Sequence, residues 1–113
     1  MIELTSADLI CPFTTAQEVL SGKWSLVIIF HLKNGPIRFN ELLRKFDGLT
    51  HSSLTKQLRQ LENFQLIHRE VYHQVPPKVE YSLTELGEKL FPTINELTEW
   101  GSKYIDNCKS VER

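Results

Sequence analysis

The sequence has little that would mark an enzyme, a secreted protein or a membrane protein. Its 113 residues hold two cysteines, Cys11 and Cys108, and no Cys-x-x-Cys pair. That excludes a disulfide scaffold and leaves both as thiols in a reducing compartment. The longest apolar run, Leu26-Val27-Ile28-Ile29-Phe30, is far too short to span a bilayer. The start, Met1-Ile2-Glu3-Leu4, lacks the basic segment and apolar run of a secretory signal, so the expected location is the cytoplasm. No Gly-rich phosphate loop or nucleophile elbow occurs, and no enzyme is expected. His31, His51, His68 and His73 share no ligand spacing with each other or with the cysteines. Neither a metal site nor another cofactor is therefore expected.

Net charge is also scarce, at −1, but it is unevenly spread. Residues 1–37 sum to −1, residues 38–78 to +3 and residues 79–113 to −3. Three of the four histidines fall in the basic middle. Such segregation fits a basic face carried by a protein that an acidic end keeps soluble.

What is present is helical punctuation. Thr15-Ala16-Gln17-Glu18 has capping-box spacing, whereas Pro12 suits a first helical position with Cys11 as the cap; either could open a first helix ending near Gly22. From Lys23 to Lys33 apolar residues occupy nearly every side of a helix, which marks it as the buried centre. Asn34-Gly35-Pro36 ends it. Phe39, Leu42, Leu43 and Phe46 follow at i, i+3, i+4 and i+7, the stripe of a two-turn amphipathic helix. After the turn Asp47-Gly48-Leu49, Thr50 is placed to cap a helix with Leu54, Leu58 and Leu61 on one stripe. Two short helices around a tight glycine turn make a helix-turn-helix, expected over about 39–64.

Partial alternation in residues 67–73 and 79–83, around Pro76-Pro77, predicts a β-hairpin over about 67–83 whose tip prolines donate no ladder bond. Thr84 opens a second long helical pattern. Leu86, Leu90, Ile94, Leu97, Gly101, Tyr104 and Cys108 form its seam, flanked by Phe91, Trp100 and Ile105. Pro92 should kink or divide this helix. A domain this small has little core left for such a stripe, so a partner surface is expected at Leu90, Ile94, Leu97, Trp100, Gly101 and Tyr104. The whole chain, 1–113, reads as one domain, mainly α with a small β-hairpin wing (α+β).

With the leucines of the second helix inward, its opposite face shows Ser52, Lys56 and Arg59, with Ser53, Thr55 and Gln60 at the edges. Short hydroxyls at the start and long cationic or amide groups behind are what a helix needs in the major groove of duplex DNA. Arg38, Asn40 and Arg44 around the preceding helix, and Arg69, His73 and Lys78 on the hairpin, are candidate phosphate contacts.

These pieces resemble the HxlR family of bacterial winged-helix regulators, relatives of the MarR type. The matching segments are Cys11-Pro12, Gly22-Lys23-Trp24, Arg38-Phe39-Asn40-Glu41-Leu42, Leu54 to Glu62, Pro76 to Thr84 and Trp100-Gly101. The resemblance implies a homodimer built through the terminal helices, about 12–21 and 84–108, that regulates transcription from an inverted-repeat operator. It also implies that a cysteine before the first helix, where Cys11 stands, can sense oxidants or electrophiles. Gln65 departs from the pattern, because such sequences usually place glycine there to end the recognition helix.

Two other readings stay open on the sequence: a winged-helix protein-interaction module, and a regulator whose signal is a small molecule bound between protomers.

Overall fold

A computed structural model of the chain describes residues 11–111. The elements run α1 (Pro12–Val19), α2 (Ser25–His31), β1 (Ile37–Arg38), α3 (Phe39–Arg44), α4 (His51–Asn63), β2 (Ile67–Tyr72), β3 (Lys78–Leu83), α5 (Glu85–Glu88) and α6 (Phe91–Val111). The fold is mostly helical with one small antiparallel sheet, as expected.

Of the two possible starts for α1, the structure takes the earlier. Cys11 is the N-cap with extended backbone, and Pro12 follows at the first helical position. The proline's missing N–H is one of the donors that a helix start leaves unpaired anyway. In α2, Ile28 and Ile29 are fully buried, but Phe30 is 45% exposed and Trp24, Leu26 and Val27 are only partly covered. This helix therefore has an outward side, contrary to the all-round burial that its sequence suggests. It lies on the core and is not its centre.

The core gathers Ile28, Ile29 and Leu32 from the α2 region, Leu42 from α3, and Leu54, Leu58 and Leu61 from α4. Ile67, Tyr81 and Ile94 close it from the sheet and from α6. Leucines at i, i+4 and i+7 share one side of a helix, so burying that side of α4 turns Ser52, Lys56 and Arg59 to the surface. Thr50 caps α4, its hydroxyl accepting from the Ser53 amide at 3.1 Å. The helix leaves through a Schellman turn. The Leu66 amide donates to the Leu61 carbonyl at 3.0 Å and the Gln65 amide to that of Glu62 at 2.9 Å. Gln65 stands in the left-handed region at φ 66°, a conformation costing a non-glycine residue roughly 1–2 kcal/mol.

The hairpin forms as expected, Ile67 opposite Leu83 through Tyr72 opposite Lys78. A third strand joins it. Ile37 and Arg38 pair with Tyr81 and Glu80, so the sheet order is β1-β3-β2. Two residues carry no readable alternation, and Pro36 before them reads only as a helix stop.

Past the wing, Thr84 caps α5, and the helical path breaks at Lys89–Leu90 before α6 begins. Pro92 sits in the first turn of α6, where its lack of an N–H is tolerated, and the seam is divided as expected. Ile94, 6% exposed, faces the molecule's own core, whereas Leu97, Trp100 and Tyr104 are 47%, 60% and 55% exposed. Leu90 packs against the core edge; Gly101 is half-buried.

Candidate nucleic-acid interface

The exposed side of α4 carries a groove lined by His51, Ser52, Thr55, Lys56, Arg59, Gln60 and Asn63. His51, Thr55, Arg59 and Asn63 follow one another at intervals of four, so they form a single ridge along the helix. Thr55 and Arg59 are the middle of that ridge as expected from the sequence, and His51 and Asn63 extend it by one turn at each end. The i±4 continuation from Thr55 and Arg59 would have found them. His51 is the first residue of α4, and its ring lies 4.6 Å from that of Phe39.

Gln60 behaves differently from its neighbours. Its Nε2 is buried and finds no hydrogen-bond partner, so that donor is not offered to solvent. Ser53 is engaged as well, since the Thr50 hydroxyl donates to its Oγ at 2.9 Å. Ser52, Lys56 and Arg59 are exposed.

A second, polar cleft lies between the start of α3 and the root of the wing. Arg38, Asn40, Arg44 and Lys78 line it together with Phe39, Glu41, Pro77 and Val79. Four expected phosphate contacts, 40 positions apart at the extremes, thus meet in one place. The β1–β3 pairing brings them there, because Arg38 lies directly opposite Glu80. Arg38, Arg44, Lys56 and Arg59 form no ion pair among the described residues. Lys78 is less free, with its Nζ 4.3 Å from the centroid of the Tyr72 ring and 3.8 Å from a Glu80 carboxylate oxygen.

A third cleft joins the two elements, with Arg59 and Glu62 of α4 facing Arg69, Val79 and Tyr81 of the sheet. Arg69 reaches it because it pairs with Tyr81 across the ladder. His73 lines none of these clefts; it is exposed one residue beyond β2. His68 lies within β2 and bonds Glu70 at 2.9 Å.

Cys11 is exposed at the start of α1. The Thr14 hydroxyl, then the Thr14 amide, hold its thiol below the ordinary value; burial opposes them, and the Phe13 amide adds the smallest contribution. The thiolate is thus favoured by donors at a helix start. Asp8, the nearby carboxylate in the sequence, lies outside the described residues. Cys108 is half-buried on α6. Among the described residues no cluster of three potential metal ligands occurs, and no helix is long and apolar enough to cross a membrane.

A capped helix with a cationic outer side, preceded by a short helix and followed by a wing, defines a winged helix-turn-helix transcriptional regulator. The chain belongs to the HxlR-like helix-turn-helix family, which it matches over residues 19–109. YdeP of Bacillus subtilis, an uncharacterized HTH-type transcriptional regulator, is 48% identical over 102 residues, 90% of this chain and 80% of YdeP. The redox regulator HypR in its reduced form superposes with a TM-score of 0.82 at 46% identity, covering 88% of this chain and 99% of that one. Its oxidised form gives 0.77 at 48% identity, over 82% and 96%. The family is one of DNA-binding regulators and not of enzymes.

Proposed function

We propose that residues 1–113 act as one winged helix-turn-helix domain that pairs with a second copy and lays α4 of each protomer in the major groove of an inverted-repeat operator. The observation that carries this is the division of α4. Leu54, Leu58 and Leu61 are at most 1% exposed, while Ser52, Lys56 and Arg59 face outward beside the cleft of Arg38, Asn40 and Arg44. Base-edge contacts fall to Ser52, Thr55, Lys56 and Arg59, with Ser53 and Gln60 at the margin. Phosphate contacts fall to Arg38, Asn40, Arg44 and Arg69, with Lys78 and His73 on the wing.

Pairing is supported by α6. Leu97, Trp100, Tyr104 and Ile105 leave apolar surface exposed, with the Trp100 and Tyr104 rings stacked 5.4 Å apart. Ile94 is already committed to the core of its own protomer and serves the interface from behind. Occupying an operator this way represses by occlusion and needs no further domain.

The signal is read through Cys11. Its exposure and lowered pKa support this, as does the similarity to a redox regulator solved in reduced and oxidised forms. A small-molecule signal is the second reading. It is favoured by an apolar groove of about 660 Å³ between α1, the exit of α4 and α5, lined by Val19, Leu20, Phe64, Leu66, Leu86 and Leu90.

The test is selection of binding sites from random duplex DNA at two salt concentrations, under reductant. An inverted repeat with half-site centres roughly 34–36 Å apart, or a multiple of that, is the expected result. Steep salt-dependent binding without a motif would reduce the reading to non-specific electrostatics. No binding at either salt would favour the protein-interaction module.

A further inference from the structure

The recognition helix and the C-terminal arm are joined along the chain only through the wing, 18 residues between Gln65 and Thr84. In space the turn that leaves α4 meets the residue that opens α5, at the base of the wing beside the Ile67–Leu83 pair. The Thr84 hydroxyl donates to the Gln65 carbonyl at 2.7 Å, and the same oxygen accepts from the Gly87 amide at 3.0 Å. The Thr84 amide donates to the Leu66 carbonyl at 3.1 Å. One residue therefore caps α5 and ties down both carbonyls of the turn by which α4 ends.

Two further observations show how closely this junction is fitted. Gln65 holds φ 66° without being glycine, so the surroundings must favour that turn enough to offset its intrinsic cost. Gly87 is buried, and a Cβ built on it would strike the Leu66 carbonyl oxygen. The first turn of α5 is thus pressed against the same exit turn, with no room for any larger residue. Ile94 and the α2–α6 contact then fix the arm farther along.

The geometry points to Thr84 as a positioning residue: by clamping the exit of α4 to the start of the dimerising arm, it fixes the distance at which a pair of α4 helices meets DNA. The clamp adds no base contact. It governs which half-site spacing is read, and so it rests on the proposed dimer reading an inverted repeat. Losing the clamp leaves the outer side of α4, and hence the half-site bases, unchanged. It loosens the angle between α4 and α5, leaving the Thr84 amide bond and the Gly87 fit as the remaining ties.

The experiment is site selection with the full chain carrying Thr84→Val, which keeps the shape and removes the hydroxyl, against Thr84→Ser, which keeps the hydroxyl. Wild type and Thr84→Ser should each return one dominant spacing. Thr84→Val should return the same half-site bases with spacings spread over at least two lengths. A purely structural residue would lower the melting temperature and leave the spacing sharp. If Thr84→Val is too unstable to test, it is placed in a Gln65→Gly background, which relieves the left-handed backbone and restores stability without restoring the hydroxyl. A single sharp spacing from Thr84→Val in either background overturns the clamp while leaving DNA reading intact. A wild-type protein that selects no inverted repeat overturns both.

Discussion

The imidazole of His31 meets the Phe46 ring edge-on, with centroids 5.1 Å apart, and Phe46 in turn lies 5.4 Å from Trp24. Burial against these rings, with a smaller push from Lys45, lowers the pKa of His31 below 6.5. The folded state thus prefers the neutral ring, and between the two pKa values the unfolded chain binds more protons. The stability gained is fully present above the unfolded value and is lost as pH falls through the depressed one. Urea unfolding at about pH 8 and about pH 5 should show the wild type losing stability on acidification, and His31→Phe losing less. Equal losses in the two proteins would remove His31 as the cause.

Two glycines should respond differently to alanine. A Cβ at Gly87 meets the backbone oxygen of Leu66, which cannot step aside, and Gly87→Ala should cost about 1–3 kcal/mol. A Cβ at Gly22 meets the Gln57 Oε1 and the Ser25 Oγ, both side-chain ends. Gly22→Ala should therefore cost less, chiefly the 3.4 Å Ser25–Gln57 hydrogen bond. Denaturant midpoints give the order directly.

Cations in the two clefts should separate by the kind of loss. Lys56→Ala and Arg59→Ala should weaken operator binding roughly ten- to a hundredfold, the ~1–3 kcal/mol of a base contact. Arg44→Ala should lower the salt slope of binding by about one. Lys78→Ala should change that slope less than Arg44→Ala, because its ammonium already rests on Tyr72 and Glu80. Titration of labelled operator across a salt series reads both quantities.

The reactivity of Cys11 should trace to Thr14. Alkylation of the Cys11 thiol, followed against pH by mass spectrometry, should reach half its maximal rate at a lower pH than that of an unperturbed cysteine in a short peptide measured alongside. Thr14→Val removes the largest favourable contact and should move that midpoint upward. An unmoved midpoint would transfer the effect to the backbone amides.

How much of this was legible in the sequence depended on whether the cause was local. The Thr50 cap, the leucine stripe of α4 and the division of the last helix near Pro92 all follow from neighbours within four or so positions, and all appear as read. The β1 strand was not legible, because Ile37 and Arg38 become a strand only through pairing with Tyr81 and Glu80. The outward side of α2 was hidden for the same reason: Phe30 looks as apolar as Ile28, and only the placement of α6 and α3 decides which is covered. Gln65 was visible as a departure from its family, but the bonds from Thr84 that support it cross 19 positions and leave no mark on spacing. Ile94 and Leu97 share a seam in sequence yet face different neighbours in space.

The sheet order has a consequence for the duplex itself. With β1 laddered to β3, the residue that opens α3 is bonded to the strand that forms one side of the wing. Wing and helix pair are consequently tied together, so that changing their spacing means disturbing the Ile37–Tyr81 and Arg38–Glu80 pairs. On the proposed operator, a mismatch between this spacing and relaxed B-form DNA would then be absorbed in part by bending or groove compression. Base steps that no side chain touches will enter the affinity through their flexibility.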